Sequence, residues 1–202
     1  MVGGVDEEAV RRVHLQRARD GLGRMERLVE QLLTLARVES LDRVADATPI
    51  ALADLARGVL ADAAERAAPR GVRLALQSHD AGLVLGSAGL LGIALRNLVD
   101  NAISHGRQGG RVEVSVRTGA RQVEVSVADD GPGLAPGQAG RLGERFQRSS
   151  SGSGSGLGLS IVQAIAALHQ GGLEVSGSTP AGTRLVLRLP AAGSWPKAAS
   201  TA

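Results

Sequence analysis

Two alternating segments, Arg111–Thr118 and Gln122–Ala128, stand either side of a tight turn that contains Gly119. Apolar residues at every second position give each segment one face for a core and one for water, so the two read as an antiparallel strand pair. Three short segments are arranged around that pair. Asn97-Leu-Val-Asp-Asn101-Ala102 precedes it, Asp129-Asp-Gly131-Pro-Gly133 follows it directly, and Gly154-Ser-Gly156-Leu-Gly158-Leu opens a helical run further on. None of the three is specific alone; their order and spacing restrict the chain to an α/β layer arrangement.

The rest of the chain fits that frame. Residues from about Asp6 to Glu39 read as one long helix, with Leu22, Met25, Val29, Leu32 and Ala36 at three-four spacing. Leu28, Leu33 and Leu35 widen the stripe beyond a two-stranded seam, so this helix calls for at least two neighbours. The competing reading is an amphipathic helix folded back on its own domain. After a break at Ser40–Pro49, Pro49 is expected in the first turn of a second helix capped by Thr48 and running to about Ala68. Strands are expected at Val72–Leu76 and Leu83–Leu85, and a helix at Ser87–Ser104. A second helix at Leu157–His169 is followed by strands at Leu173–Gly177 and Thr183–Leu189, then by a loose tail after Pro190. The pattern predicts an α+β fold, a two-layer α/β sandwich whose mixed, largely antiparallel sheet carries helices on one face.

Composition excludes several classes. The 202 residues contain no cysteine, which removes disulfides and thiolate metal sites. His14, His79, His105 and His169 are too scattered to suggest a metal cluster. No run approaches the roughly 18 apolar residues of a membrane span, and the acidic start at Asp6, Glu7 and Glu8 does not match a secretory signal. The net charge of +3 is interspersed, and with one Phe and one Trp there is no aromatic-basic surface for stacking bases. Nucleic acid is not an expected partner.

The three segments carry the candidate chemistry. Asn97 and Asn101 are four apart on a helix and share a face, where amide oxygens suit a hard cation such as Mg²⁺ that also holds phosphate oxygens and waters. Both could instead be solvated. Asp129 lies at the end of a strand, where its carboxylate can accept a hydrogen bond from an adenine amine, while Gly131 and Gly133 let the backbone turn close to a base. A bare Asp-Gly turn is the plainer alternative. Gly152, Gly154, Gly156 and Gly158 alternate into a helix start, whose free N–H groups suit phosphate; a serine-glycine linker is the plainer reading. No Gly-Lys-Ser/Thr follows, so this is not a Walker loop. Arg145 and Arg148 either approach phosphates or are solvated, and Phe146 is expected to anchor one end of this stretch against the domain. His169 is expected to meet the last carbonyls of its helix ahead of Gly171-Gly172.

Taken together, the segments resemble the catalytic end of bacterial two-component sensor histidine kinases, within the gyrase, Hsp90, histidine kinase and MutL ATPase superfamily. The resemblance covers about Asp20 to Pro190 and implies a Bergerat-type ATP-binding fold. Asn97–Ala102 resembles the N box, Asp129–Gly133 the adenine-binding first glycine box, and Glu144-Arg145-Phe146-Gln-Arg148 the F box of the ATP lid. Gly154–Val162 resembles the second glycine box, and Gly182-Thr183 the last glycine motif. The resemblance implies Asn97 and Asn101 as the catalytic pair, with Asn101 on Mg²⁺. It implies ATP contacts at Asn97, Asn101, Asp129, Gly131, Gly133, Arg145, Arg148, Gly154, Gly156, Leu157, Gly158 and Thr183. Arg24–Glu39 is similar to the second helix of the dimerisation and phosphoacceptor hairpin, which accounts for the wide apolar stripe.

The implied function is transfer of the ATP γ-phosphoryl group to a protein histidine, for relay to a response-regulator aspartate. Implied partners are a histidine-bearing hairpin, a response regulator and a second copy through residues 20–39; the implied location is cytoplasmic. The expected division is 1–41 for the partial dimerisation helix, 42–190 for the ATPase domain and 191–202 for the tail. The family's acceptor histidine is followed by Glu or Asp and then Arg-Thr-Pro, whereas His14 is followed by Leu15, Gln16 and Arg17. The acceptor is therefore expected elsewhere, the chain being either a fragment or a kinase acting on another chain. Gly143 and Ser104 depart from an aromatic in the F box and a basic residue after the N box. Asn97 stands where the hydrolysing members use a Glu and is a poor base, which favours transfer over hydrolysis. Two alternatives are a non-enzymatic ATP-binding or dimerisation module and an anti-sigma-factor-type serine kinase. The helix at Met25–Glu39 argues against the second.

Overall fold

The computed structural model describes residues 7–78, 80–134, 156–179 and 182–194. In chain order its elements are α1 (Glu7–Glu39), β1 (Thr48–Ala51), α2 (Leu52–Ala67), β2 (Arg73–Ser78), β3 (Leu83–Gly86) and α3 (Ala88–His105). They continue with β4 (Arg111–Thr118), β5 (Gln122–Asp129), α4 (Gly158–Leu168), β6 (Gly172–Thr179) and β7 (Gly182–Pro190). Five strands form one sheet in the order β2-β4-β5-β7-β6, and β1 pairs with β3 in a separate antiparallel ribbon. Only the β2–β4 pair in the large sheet is parallel. The mixed, largely antiparallel sheet is the one the alternating pattern predicts.

Alternation fixes which face of the sheet is covered. Val112, Val114 and Val116 of β4 and Val123, Val125 and Val127 of β5 are all buried on the helix side, where Leu185, Leu187 and Leu189 of β7 join them. Each such side chain contributes roughly 1.5–3 kcal/mol on leaving water. The opposite face is polar: the Ser115 and Ser126 hydroxyls lie 2.8 Å apart, Arg184 donates to Ser126, and Arg188 bridges Glu124 and Glu174. Helices α2, α3 and α4 pack on the apolar face through Leu91, Leu95, Leu98, Ile161 and Ile165.

Thr48 and Pro49 do not cap or open the second helix. They lie in β1, where Pro49 sits opposite Leu85 and Ile50 is buried, and the helix begins three residues later at Leu52. Proline fixes a φ that serves a strand in a two-stranded ribbon as well as a first helical turn, and the cross-strand partner decides between them. α2 has no side-chain cap; the N–H groups of Leu52 and Ala53 donate instead to the carbonyls of Gly82 and Ala81, at 3.2 and 3.1 Å. The helix ends through Ala68–Arg70 into Gly71, which takes the left-handed conformation at φ 63°.

α1 is a continuous helix of 33 residues. Its C-terminal turns fold onto α4, burying Leu35 and Val38 in the domain core. Leu22, Met25, Val29, Leu32 and Leu33 remain exposed. The fold-back reading thus holds for the last turns, while the wider stripe stays open along the rest. At the other end of the chain Ala191 bridges Val84, so ordered structure continues past Pro190 through a short turn at Ala192–Ser194. Among the described residues, no helix is long and apolar enough to cross a membrane.

Candidate functional site

α3 forms one wall of the site. Ser87 caps it, its hydroxyl accepting the Leu90 N–H at 3.4 Å, and Leu91, Leu95, Leu98 and Ala102 bind it to the core. With that face buried, Asn97, Asn101 and His105 follow one another at four-residue spacing along a half-buried face. Asn97 is oriented by its own helix, since Nδ2 donates to the Ile93 carbonyl at 2.9 Å. Its Oδ1 is thereby directed at the start of α4, where a Cβ placed on Gly158 would lie 3.0 Å away. The first and third segments of the sequence pattern therefore meet here.

Asp129 closes β5 at the far end of that face. Its carboxylate accepts the Gly131 N–H at 2.9 Å and the backbone N–H of Thr183. Burial raises its pKa above the ordinary 3.8 and Asp130 adds to the rise, while the Gly131 and Thr183 hydrogen bonds and His105 oppose it. Gly131 is required by closeness: a Cβ there would collide with the His105 carbonyl oxygen and sit 2.7 Å from Asp129 Oδ1. Gly133, at φ 77°, is required by the left-handed turn. Gly182, at φ 138°, lies against the Asp129 backbone, so the start of β7 brings Thr183 to the site.

The predicted residues thus form two clusters joined by α3. Asn97 meets Gly158 with Leu157 fully buried beside it, and Gly131, Thr183 and His105 gather around Asp129. Asn101 lies between them and Gly156, at φ 75°, leads into α4. Arg145, Arg148 and Gly154, with Phe146, lie outside the described residues.

Asp130 carries a role that sequence reasoning did not assign. Its carboxylate accepts the N–H groups of Arg107 and Arg111, at 3.3 and 2.9 Å, and so fastens the loop after α3 to the end of β5. Gly110 faces that carboxylate with no room for a Cβ. The glycines at 106, 109 and 110 opposite a second Asp were the available signal. His169 does meet its helix carbonyl, as expected, and reaches Ser87 as well.

With the geometry in view, the family described as histidine kinase-, DNA gyrase B-, and HSP90-like ATPase matches residues 86–193. The chain belongs to this ATPase family. Sensor protein QseC of Escherichia coli is 39% identical over 181 residues, an alignment covering 88% of this chain and 39% of QseC. The chain thus spans about two-fifths of the length of that relative. A structure of the cytoplasmic segment of histidine kinase QseC is 31% identical with TM-score 0.56, covering 82% of this chain and 91% of the segment. The mycobacterial sensor histidine kinase MprB gives 30% identity and TM-score 0.65 over 72% of this chain and 98% of that structure. Full-length ShkA in complex with AMPPNP gives 27% and 0.77 over 90% and 39%. Among its relatives the ATPase domain is therefore of the sensor-histidine-kinase type.

Proposed function

We propose that this ATPase domain binds Mg·ATP between α3, the end of β5 and the start of α4, and transfers the γ-phosphoryl group to a protein histidine. The observation that carries the reading is Asp129: a half-buried acid held by two backbone N–H groups, with the glycine backbone of residues 131 and 182 packed against it. A carboxylate fixed in this way accepts the exocyclic amine of adenine. The AMPPNP bound by ShkA is the same class of ligand. The N-terminus of α4, the positive end of its helix dipole, faces the place of the phosphates.

Asn101 fits a magnesium ion. No group of three or more His, Asp or Glu able to hold a metal occurs among the described residues, so a cation here relies on one neutral amide oxygen, the triphosphate and water. Mg²⁺ retains waters and accepts such a set, and when bound it neutralises phosphate charge. Asn97, an amide already donating to Ile93, takes no proton from water, so the site favours transfer over hydrolysis. The acceptor is a histidine on a helical hairpin, not His14, and the phosphoryl group passes on to a response-regulator aspartate. A second copy of the chain covers the open stripe of α1, and the location is cytoplasmic.

The test mixes the chain with labelled ATP and a separate histidine-bearing hairpin. The expected product is an acid-labile, base-stable phosphohairpin, with no phosphohistidine on the chain alone. ATP binding without any transfer would instead mark a regulatory module, and acid-stable phosphoserine would mark a serine kinase.

A further inference from the structure

His169 is the most deeply buried polar side chain among the described residues, at 1% exposure. Its Nδ1 lies 2.8 Å from the Ile165 carbonyl oxygen and its Nε2 lies 3.1 Å from the backbone nitrogen of Ser87. An amide N–H only donates, so Nε2 carries the lone pair and Nδ1 carries the proton. Ser87 is the N-cap of α3 and Ile165 belongs to the last turn of α4. The ring thus ties the beginning of one helix to the end of the other. Gly86 makes room for it, because a Cβ there would sit 2.7 Å from Nε2.

The opposite end of this antiparallel helix pair is the nucleotide site. From Ser87 to Asn97 along α3 is roughly 15 Å, and from Gly158 to His169 along α4 is roughly 16 Å. The matched lengths close the pair at both ends, with His169 on Ser87 at one and Gly158 beside Asn97 at the other. We propose that His169 is a positioning residue for the nucleotide site, a neutral clasp that sets the register of α4 on α3 so that Gly158 meets Asn97. This rests on the ATP reading above.

Protonation opens the clasp, because an imidazolium has no lone pair for the Ser87 N–H. Among the described residues, no neighbouring charge compensates for that loss. β3, α4 and residues 88–95 of α3 contain no Asp, Glu, Lys, Arg or His. Glu174 of β6 and Arg188 of β7 pair with each other on the far face of the sheet, and Arg37 and Glu39 of α1 are exposed. Burial keeps the ring's pKa below its ordinary 6.5, which favours the neutral form.

The test measures ATP affinity of the full chain, His169→Gln and His169→Asn at about pH 7.5 and about pH 5. Gln offers a non-titrating acceptor near the Nε2 position, whereas Asn reaches only the Nδ1 position and leaves the Ser87 N–H unpaired. At the higher pH the Gln variant should bind within about threefold of the parent and the Asn variant about tenfold more weakly. At the lower pH the parent should lose more affinity than the Gln variant. Titration of the ligand phosphates is common to all three proteins and cancels in the ratios. Equal pH dependence in the parent and the Gln variant overturns the proposal, as does parent-like binding by the Asn variant. If the Asn variant does not fold, the parent and Gln pair still decides. Hydrogen exchange at the Ser87 amide of the unliganded chain separates the two readings. A parent that binds no ATP overturns the nucleotide site, whereas Ser87 protection that ignores pH overturns the clasp.

Discussion

Asp129→Asn separates binding from stability, because the substitution moves the two in opposite directions. In the parent, two backbone N–H groups and, under the proposed reading, the adenine amine all converge on one carboxylate. Asparagine keeps a single oxygen. The N–H groups of Gly131 and Thr183 claim it, which turns the new NH₂ toward the base, donor against donor. Loss of a hydrogen bond to a charged group is worth about 1.5–3 kcal/mol, so ATP affinity should fall by about 100-fold.

Stability should move the other way. The folded-state pKa of Asp129 is raised above its ordinary 3.8, chiefly by burial, so the folded chain holds this proton more tightly than the unfolded one. Above the folded-state pKa, folding requires a carboxylate to ionise where ionisation is disfavoured, and that cost is constant through neutral pH. It disappears as pH falls through the folded pKa towards 3.8. Asparagine never bears it. The unliganded variant should therefore melt about 1–3 °C higher than the parent near neutrality, a modest gain because solvent screens a half-buried group. The difference should vanish in acid. Calorimetric titration with ATP and thermal unfolding across pH supply both halves. ATP binding by the variant within about threefold of the parent sinks the adenine assignment, and a lower melting temperature at neutral pH sinks the account of the buried acid.

Three further outcomes follow from the same geometry. Gly158→Ala places a Cβ 3.0 Å from Asn97 Oδ1 while improving helix propensity by about 1 kcal/mol, so stability should hold and ATP affinity should drop about fivefold in a calorimetric titration. Gly131→Ala meets the His105 carbonyl, which is backbone and has no alternative rotamer; unfolding experiments should show a loss of about 1–3 kcal/mol along with nucleotide binding. Leu33→Glu puts a charge on the exposed stripe of α1, where Leu33 is 53% exposed. Sedimentation should show a parent dimer converted to monomer with ATP affinity intact; a parent that is monomeric at every concentration removes the seam.

What was legible in the sequence was whatever is decided locally. Alternation in Arg111–Thr118 and Gln122–Ala128 specified the central strands, and the spacing of Leu91, Leu95 and Leu98 specified the buried face of α3. Because that face was fixed, the shared face of Asn97 and Asn101 was fixed with it. Pro49 was misread because its φ serves a helix start and a strand equally, and the deciding contact is Leu85, far along the chain. The contacts of Asp130 and the contact of His169 with Ser87 escaped for the same reason. Their partners lie about 20 and about 80 residues away; the glycines at 106, 109 and 110 hint at the first, and nothing local marks an imidazole that joins two helix ends.

α3 also acts as a ruler for the ligand. Asn97 marks the end that faces α4 and His105 the end that faces Asp129, roughly 12 Å apart along the helix. The adenine and terminal phosphate of an extended ATP lie a comparable distance apart, so a base on Asp129 sends its phosphates toward Gly158. Asn101 then falls at the middle of the span, where a cation bridging phosphate oxygens belongs. The ruler makes a distinction that neither cluster makes alone. Asp129→Asn should weaken adenosine, ADP and ATP by the same factor, because all three present the same base. Gly158→Ala should leave adenosine unaffected and cost most for ATP, because only the phosphates reach α4. If both substitutions weakened adenosine equally, the two clusters would belong to one compact base pocket, and the phosphates would have to leave the site in another direction.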